Sequence, residues 1–328
     1  VGSAGNEAIF NMHASKVLTE DDNVLKTMIA YADPSNKSSY TYLWATPGKK
    51  ITVEVAIVDP LRKGRIIKST GEVSMDAPAD YYTITEGTVT DLTMLFSPMV
   101  NGDGGASQMI IESTVMGLAD NRKEAIIVHG EPGTTVHLWQ AANNNYFING
   151  GIDDFTDGDN FCTVGEIGGT SDAVISVGSY DSDAEIEIPS VGTLRVDDMM
   201  SQAGYNFQPG DRSFFSSRGP TADGRMKPDV TAPGNLVASG FNKYCTASHL
   251  AVDYLPAVTD ASGEKYYFEL TMGTSQAAPS VTGTVALWLQ ANPELTPADV
   301  RDILSKTCDR DAFTGAEPNN DFGFGKLN

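Results

Sequence analysis

The fold class predicted for this 328-residue chain is an α/β core interrupted by an inserted antiparallel β-sandwich or jelly roll. Three observations lead there. Over residues 159–328, short apolar runs alternate with stretches of helical spacing. Between residues 9 and 158 the texture changes to short β-branched and aromatic runs separated by turn signals. Finally, the stretch Met272-Gly273-Thr274-Ser275-Gln276-Ala277-Ala278-Pro279-Ser280 brings a serine to the start of a helix through a small-residue turn.

The interrupting region reads as eight strands: Leu25–Tyr31, Tyr40–Ala45, Ile51–Val58, Tyr81–Thr85, Leu92–Phe96, Met109–Val115, Ala125–His129 and Thr134–Trp139. The turns between them include Asp33-Pro34-Ser35-Asn36, Thr46-Pro47-Gly48-Lys49, Asn101-Gly102-Asp103-Gly104-Gly105 and Glu131-Pro132-Gly133. Glycine, proline and asparagine supply the backbone angles that reverse a chain. Eight short strands at this spacing suit a sandwich or jelly roll. Ile51-Thr52-Val53-Glu54-Val55-Ala56-Ile57 alternates only in part, as a strand with one buried face does. A domain whose ends lie close together is readily inserted in a surface loop. The boundaries therefore fall at residues 1–8 and 159–328 for the core and 9–158 for the insert.

In the core, Ala173–Val177 and Val230–Ala232 read as strands, and Ser275–Gln290 and Pro297–Lys306 as helices. The second helix has a start signal, with Thr296 to cap it, Pro297 at its first position and Asp299 in its first turn. Ser275 at the start of the first helix sits among unpaired backbone N–H groups and the positive end of the helix dipole. An oxyanion forming beside its Oγ is stabilised there. Read alone, a Gly-Thr-Ser at a helix start is a capping serine.

The longer string Gly273-Thr274-Ser275-x-Ala277-Ala278-Pro279, followed by Val281, Thr282 and Gly283, resembles the nucleophile motif of the subtilisin-like serine proteases, the subtilases. Further pieces resemble that family in the same order. They are Ser3-Ala4-Gly5-Asn6-Glu7, Ala173–Ser179, Phe215-Ser216-Ser217-Arg218-Gly219-Pro220, Lys227–Gly234, and the closing Phe322-Gly323-Phe324-Gly325. The resemblance implies a parallel-sheet core with helices on both faces, and subtilases with an inserted sandwich are a known variation. It makes Ser275 the nucleophile and Asn6 the oxyanion-hole donor. Taken alone, Asn6 after Gly5 is a turn former. The resemblance also places Ser3, Ala4, Gly5 and Gly165 beside the substrate's first side chain, and leaves Thr274 to support either Asn6 or the helix start.

A serine nucleophile needs a base, and the base needs an orienting carboxylate. The family's Asp-Ser/Thr-Gly turn and His-Gly-Thr-His segment are absent from these residues. His129-Gly130 continues with Glu131-Pro132-Gly133, which breaks the pattern. His129 and His137 read as ordinary strand or surface residues, and His249 as a loop residue. The expectation is that the missing Asp and His lie upstream of Val1, on an N-terminal part of the same protein, and that residues 1–328 alone are inactive. The reading is a serine endopeptidase acting on proteins or peptides. Its rivals are a catalytically incomplete pseudo-protease or binding scaffold, and a peptide ligase or cyclase on the same site.

Net charge is −21, from 22 basic and 43 acidic residues, which argues against nucleic acid and against anionic membranes as partners. No apolar run reaches the ~18 residues of a membrane span. Cys162, Cys245 and Cys308 are an odd number without short spacing, and read as small buried apolar residues rather than a disulfide framework or zinc site. No cofactor is required. The acidic turn Asp153-Asp154-Phe155-Thr156-Asp157-Gly158-Asp159-Asn160 offers the oxygen chemistry of calcium, which many subtilases bind, but its spacing fits no twelve-residue calcium loop and a solvated junction suits it better. Tyr40, Tyr42, Trp44 and Trp139 read as strand-face packing in preference to a carbohydrate platform. The resemblance implies secretion or display on a bacterial surface; the residues themselves specify no compartment.

Overall fold

The computed structural model describes residues 1–85, 90–100, 106–141, 144–183, 185–188, 192–242, 244 and 258–328. Cys245, His249 and the turn at 101–105 lie outside the described residues. The chain divides into two compact units, one of Val1–Ile9 with Phe161–Asn328, the other of Phe10–Asn160.

The first unit opens with strand β1 (Gly2–Ser3). The second unit then runs through β2 (His13–Val17), β3 (Val24–Ala30), β4 (Ser38–Ala45), β5 (Ile51–Asp59), β6 (Arg65–Ser69), β7 (Val73–Ser74), β8 (Asp80–Thr85), β9 (Thr90–Val100), β10 (Ala106–Val115), β11 (Lys123–Gly130), β12 (Thr135–Gln140) and β13 (Tyr146–Ile148). They form two antiparallel sheets, ordered β2-β12-β4-β10-β9-β8 and β13-β3-β11-β5-β6, with β7 paired to β5. Alternate residues of both sheets meet in one buried core. Leu43, Phe96, Met109, Ile111 and Leu138 come from the first sheet, and Leu25, Ile29, Val55, Ile57 and Ile126 from the second. Strands β5 and β11 are buried on their other face as well, where Ala56, Val58, Ala125 and Ile127 pack with Met28 and Phe155. That second burial is why Ile51–Val58 alternates incompletely. The ends of the unit are bonded together: the His13 N–H donates to Asp159 O at 3.1 Å, and the Asp159 N–H to His13 O at 2.7 Å.

The first unit resumes with the one-turn helix α1 (Glu166–Gly169), β14 (Ser176–Asp181), the hairpin β15 (Glu185–Ile188) and β16 (Gly192–Arg195), α2 (Val196–Gln202), β17 (Val230–Asn235), β18 (Val237–Phe241), β19 (Val258–Thr259), β20 (Lys265–Thr271), α3 (Thr274–Ala291) and α4 (Pro297–Thr307). The strand read at 173–177 begins three residues later, because Ser171 closes a turn by accepting from the Val174 and Ala173 N–H groups. Strands β1, β14 and β17 form a parallel sheet in that order. On one face, Ile175, Val177, Val230 and Ala232 pack with Ala277 and Val281 of α3 and Val300 and Leu304 of α4. On the other, Ile167 and Gly168 of α1 lie against Gly2 and Ser176. At Gly234 the start of α3 crowds the sheet: a Cβ there would lie 2.5 Å from Ser179 Oγ, 2.7 Å from Gly273 O and 3.0 Å from Ala277 Cβ. Below α4, Asp229 is buried and fully used, accepting from Lys227 Nζ at 2.7 Å, Arg301 Nε at 2.9 Å and the Ser176 N–H at 2.7 Å. The closing aromatic-glycine turn docks on the free edge of β17, with Phe324 N–H to Asp229 O at 2.8 Å and Leu327 N–H to Thr231 O at 2.8 Å.

Helix α3 carries no charged residue, yet only Thr274, Ala277 and Val281 along it are buried. Leu287 is 66% exposed and Leu289 39%. The far edge of β1 is likewise unpaired among the described residues.

Candidate active site

Strand β20 ends at Thr271, and Gly273 turns the chain into α3 with φ +148°, an angle that favours glycine. A Cβ at Gly273 would also meet Gln276 Oε1 at 2.7 Å and Asn6 Nδ2 at 3.3 Å. The helix begins at Thr274, so Ser275 stands second in it, among the N–H groups that have no helical partner. Ser275 is exposed. Pro279 lacks an N–H, so the Ser275 carbonyl also lacks its i+4 partner inside the helix.

Asn6 follows β1 on the loop that Gly5 turns with φ +114°. Its side chain is held from one side only. Asn6 Oδ1 accepts from the Thr274 N–H at 2.9 Å and from Thr274 Oγ1 at 3.2 Å. Thr274 Oγ1 in turn accepts from the Gly5 N–H at 3.0 Å. Thr274 Oγ1 also lies 3.1 Å from Gly5 O, so Thr274 binds the asparagine and the Gly5 backbone together and fixes which way the amide faces. With Oδ1 occupied, Asn6 Nδ2 points its donors away from Thr274. Asn6 Nδ2 and the Ser275 N–H both lack a partner among the described residues. Two unpartnered donors beside an exposed serine hydroxyl form the donor pair that a developing oxyanion requires.

A second fastening holds the Asn6 loop. The Glu7 N–H donates to Ser217 Oγ at 3.0 Å, Ser217 Oγ donates to Glu7 Oε2 at 2.7 Å, and the Ser217 N–H donates to Gly5 O at 3.0 Å. The Phe215–Pro220 turn thus braces the Asn6 loop, a role that the sequence reading did not give it. The signal was there only as two motifs, with nothing to pair Glu7 with Ser217.

Of the residues placed at the substrate's first side chain, Ser3 ends β1, Ala4 is buried, and Ala4 O accepts from the Gly165 N–H at 2.9 Å. These backbones lie together. The space around Gly165 is nearly open, since an added Cβ would find only Ala4 O, at 4.0 Å.

Among the described residues of this unit there is no histidine to serve Ser275 as a base. His13, His129 and His137 belong to the other unit. There they are more ordered than a sequence reading of isolated strand histidines allows. Asp159 Oδ1 lies 2.7 Å from His13 Nδ1, and His13 Nε2 lies 2.8 Å from His137 Nδ1. His137 stacks on Trp139 with ring centroids 5.4 Å apart. Burial, then the neighbouring His13, push the His137 imidazole down to about 4, against the opposing pull of Asp159. Three carboxylates of the acidic turn have separate partners. Asp154 pairs with Lys26 at 2.5 Å, Asp157 accepts from the Asn149 N–H at 3.1 Å, and Asp159 goes to His13. Of the cysteines described, Cys162 and Cys308 are half-buried, and burial pushes the Cys308 thiol up to about 11, away from thiolate chemistry.

The first unit is a parallel-sheet α/β fold in which the start of α3 meets the Asn6 side chain through Thr274. The Subtilase family model matches residues 82–325, and the chain belongs to that family of serine proteases. It is 37% identical to Serine protease AprX of Bacillus subtilis (strain 168) over 114 residues, which is 35% of this chain and 23% of AprX. It is 30% identical to Subtilisin-like protease SBT2.3 of Arabidopsis thaliana over 128 residues, 37% of this chain and 14% of that protein. Among solved structures, the CspB protease of Clostridium perfringens superposes with a TM-score of 0.62 at 21% identity, covering 99% of this chain and 57% of that one. The chain thus spans about a quarter or less of these two curated relatives.

Proposed function

We propose that the chain carries the nucleophile and oxyanion hole of a serine endopeptidase, and that a further part of the same protein supplies the histidine base and its aspartate. Ser275 Oγ attacks a peptide carbonyl, the base takes its proton, and the oxyanion is held by the Ser275 N–H and Asn6 Nδ2. The amine leaves with a proton from the base, and water releases the acyl group from Ser275. The observation that carries this reading is the Asn6 side chain, tied by Oδ1 to Thr274 so that its donors are free beside Ser275. The uncovered, uncharged face of α3 and the unpaired edge of β1 support a further segment packed there. Ser3, Ala4, Gly5 and Gly165 line the pocket for the substrate's first side chain in this reading. Residues 9–158 form an inserted sandwich domain which, entered directly after Asn6 in sequence, restricts the protein substrates admitted.

A fluorophosphonate probe tests the division of labour. Without a base the serine stays a neutral alcohol near pH 7. Labelling of Ser275 should be poor in residues 1–328 and strong in the full-length protein. Strong labelling of residues 1–328 would place a base within them and overturn the proposal, and poor labelling of both would favour a catalytically incomplete scaffold.

A further inference from the structure

Strands β2 and β12 carry two histidines close together on the outer face of their sheet. Ala14, Val136 and Leu138 point into the sandwich core, so alternation turns His13, His137 and Trp139 the other way. Both imidazoles are nevertheless enclosed, His13 at 1% exposure and His137 at 7%. Each ring is held in place. Asp159 Oδ1 takes His13 Nδ1 at 2.7 Å, and the backbones of His13 and Asp159 are bridged as well. His137 stacks on Trp139, and Trp44 stands 5.6 Å from it between ring centroids. The nitrogens left over, His13 Nε2 and His137 Nδ1, face each other at 2.8 Å.

Those two atoms are set as a ligand pair. With Nδ1–H donating to the Asp159 carboxylate, a neutral His13 carries its lone pair on Nε2. A carboxylate behind a histidine is the usual support of a metal-bound imidazole, fixing its tautomer and raising its basicity. In the metal-free protein the Nδ1–H of His137 donates to His13 Nε2. An ion takes the place of that one proton, which moves to His137 Nε2, so both rings stay neutral and both lone pairs meet the ion. Two nitrogens bound at ~2.0–2.1 Å stand about 2.9 Å apart at a right angle and about 3.3 Å apart in a tetrahedron. The separation of 2.8 Å suits the right angle, which is the geometry of square-planar or octahedral Cu(II) and Ni(II). Ca(II) and Mg(II) are hard ions that take oxygen ligands in preference to ring nitrogens.

We propose that His13 Nε2 and His137 Nδ1 bind one divalent transition-metal ion, Cu(II) or Ni(II), with Asp159 as the positioning residue and water completing the coordination. The ion ties β2 to β12 and, through Asp159, to the last residues of the unit. It thereby fastens residues 10–160 where the chain enters and leaves them. The folded chain gains stability from the ion because the unfolded chain does not hold the two rings together.

Chelator-treated residues 1–328, titrated calorimetrically with Cu(II) and with Ni(II), test the site. One ion should bind per chain and raise the thermal unfolding midpoint. The paramagnetic resonance spectrum of the Cu(II) form should show splitting from two nitrogens, and an excess of Ca(II) or Mg(II) should leave that splitting in place. His137→Gln should weaken binding at least about tenfold and remove the rise in midpoint. His129→Gln, at the half-buried histidine of β11, should change neither. Asp159→Asn should weaken binding by about 10–100-fold while the two-nitrogen splitting persists, and Asp159→Glu should recover part of the loss. No binding of either ion, a spectrum with fewer than two nitrogens, displacement of the Cu(II) by Ca(II), or binding unchanged in His137→Gln would overturn the proposal. Should His137→Gln fail to fold, the nitrogen count in the unsubstituted chain and the Asp159→Asn titration decide the matter.

Discussion

The two units bury apolar surface differently. In residues 10–160 two sheets face each other, and the side chains between them are almost all enclosed. In residues 1–9 with 161–328, α3 has apolar and small residues on all sides, yet it is buried on one side only. The contrast separates a unit whose apolar side chains are mostly enclosed from one whose longest helix keeps an apolar face open among the described residues. A helix apolar all round is ordinarily an interior helix.

The largest expected effect tests the site on the open unit. In the full-length protein, Ser275→Ala should lower kcat by about 10⁶, the scale found for the nucleophile of subtilisin, a relative. Asn6→Ala should cost about 10²–10³, again the subtilisin scale for one oxyanion donor. Steady-state turnover of a peptide substrate reads both, and a loss at Asn6 no larger than at exposed Asn144 would remove Asn6 from the site.

The next effect concerns the cores themselves. Ile126→Ala, at a fully enclosed position, should destabilise the chain by about 2–5 kcal/mol. Leu287→Ala, at 66% exposure on α3, should change the stability of residues 1–328 by less than about 0.5 kcal/mol. Denaturant titrations measure both. If the same Leu287→Ala costs several times more in the full-length protein, α3 is covered there; equal small costs in the two proteins would leave its apolar face unexplained.

Residues 10–160 expressed alone should unfold cooperatively and give a β-type circular dichroism spectrum, since their core and end pairing are internal. A disordered product would show that the enclosed core depends on the other unit.

The last effect is on pH. The folded His137 titrates near 4, below the 6.5 of an unconstrained imidazole. Between those values the unfolded chain binds more protons than the folded one, so stability rises with pH across the window and falls as pH drops through it. The full shift is worth up to about 3 kcal/mol. Thermal unfolding from pH 4 to 7 should show that slope, and His137→Phe should flatten it.

In the open unit the two strands and two helices that flank the motifs were legible because those motifs are local, whereas the hairpin β15–β16, α2 and β18 to β20 were not read. Gly273 must take its angle, Ser275 must follow it, and Thr296 with Pro297 and Asp299 announces α4, where the structure shows Thr296 and Asp299 in a reciprocal cap. The strand runs between residues 25 and 139 were legible from β-branched residues and turns, although β9 extends to Val100, four residues past its apolar run. Pairings at long range were not legible. Nothing in Asn6 alone states that Thr274 orients it, or in Glu7 that Ser217 holds it. His13, His137 and Asp159 are 124 and 146 residues from one another's partners, and no periodicity joins them.

The paired ends of residues 10–160 bear on the order in which the molecule is made. Gly5 and Thr274, whose contact sets the Asn6 amide, are 269 residues apart. A chain made at about 5–20 residues per second presents Asn6 long before α3 exists. Once β2 and Asp159 have joined, the intervening unit counts as a short link, and the loop left to close shrinks from 269 residues to roughly 120. The entropy saved is only about 0.7 kcal/mol on the logarithmic scale of loop closure. The larger gain is temporal: by the time Ser275 leaves the ribosome, its distant asparagine is waiting on a finished domain rather than on a random coil.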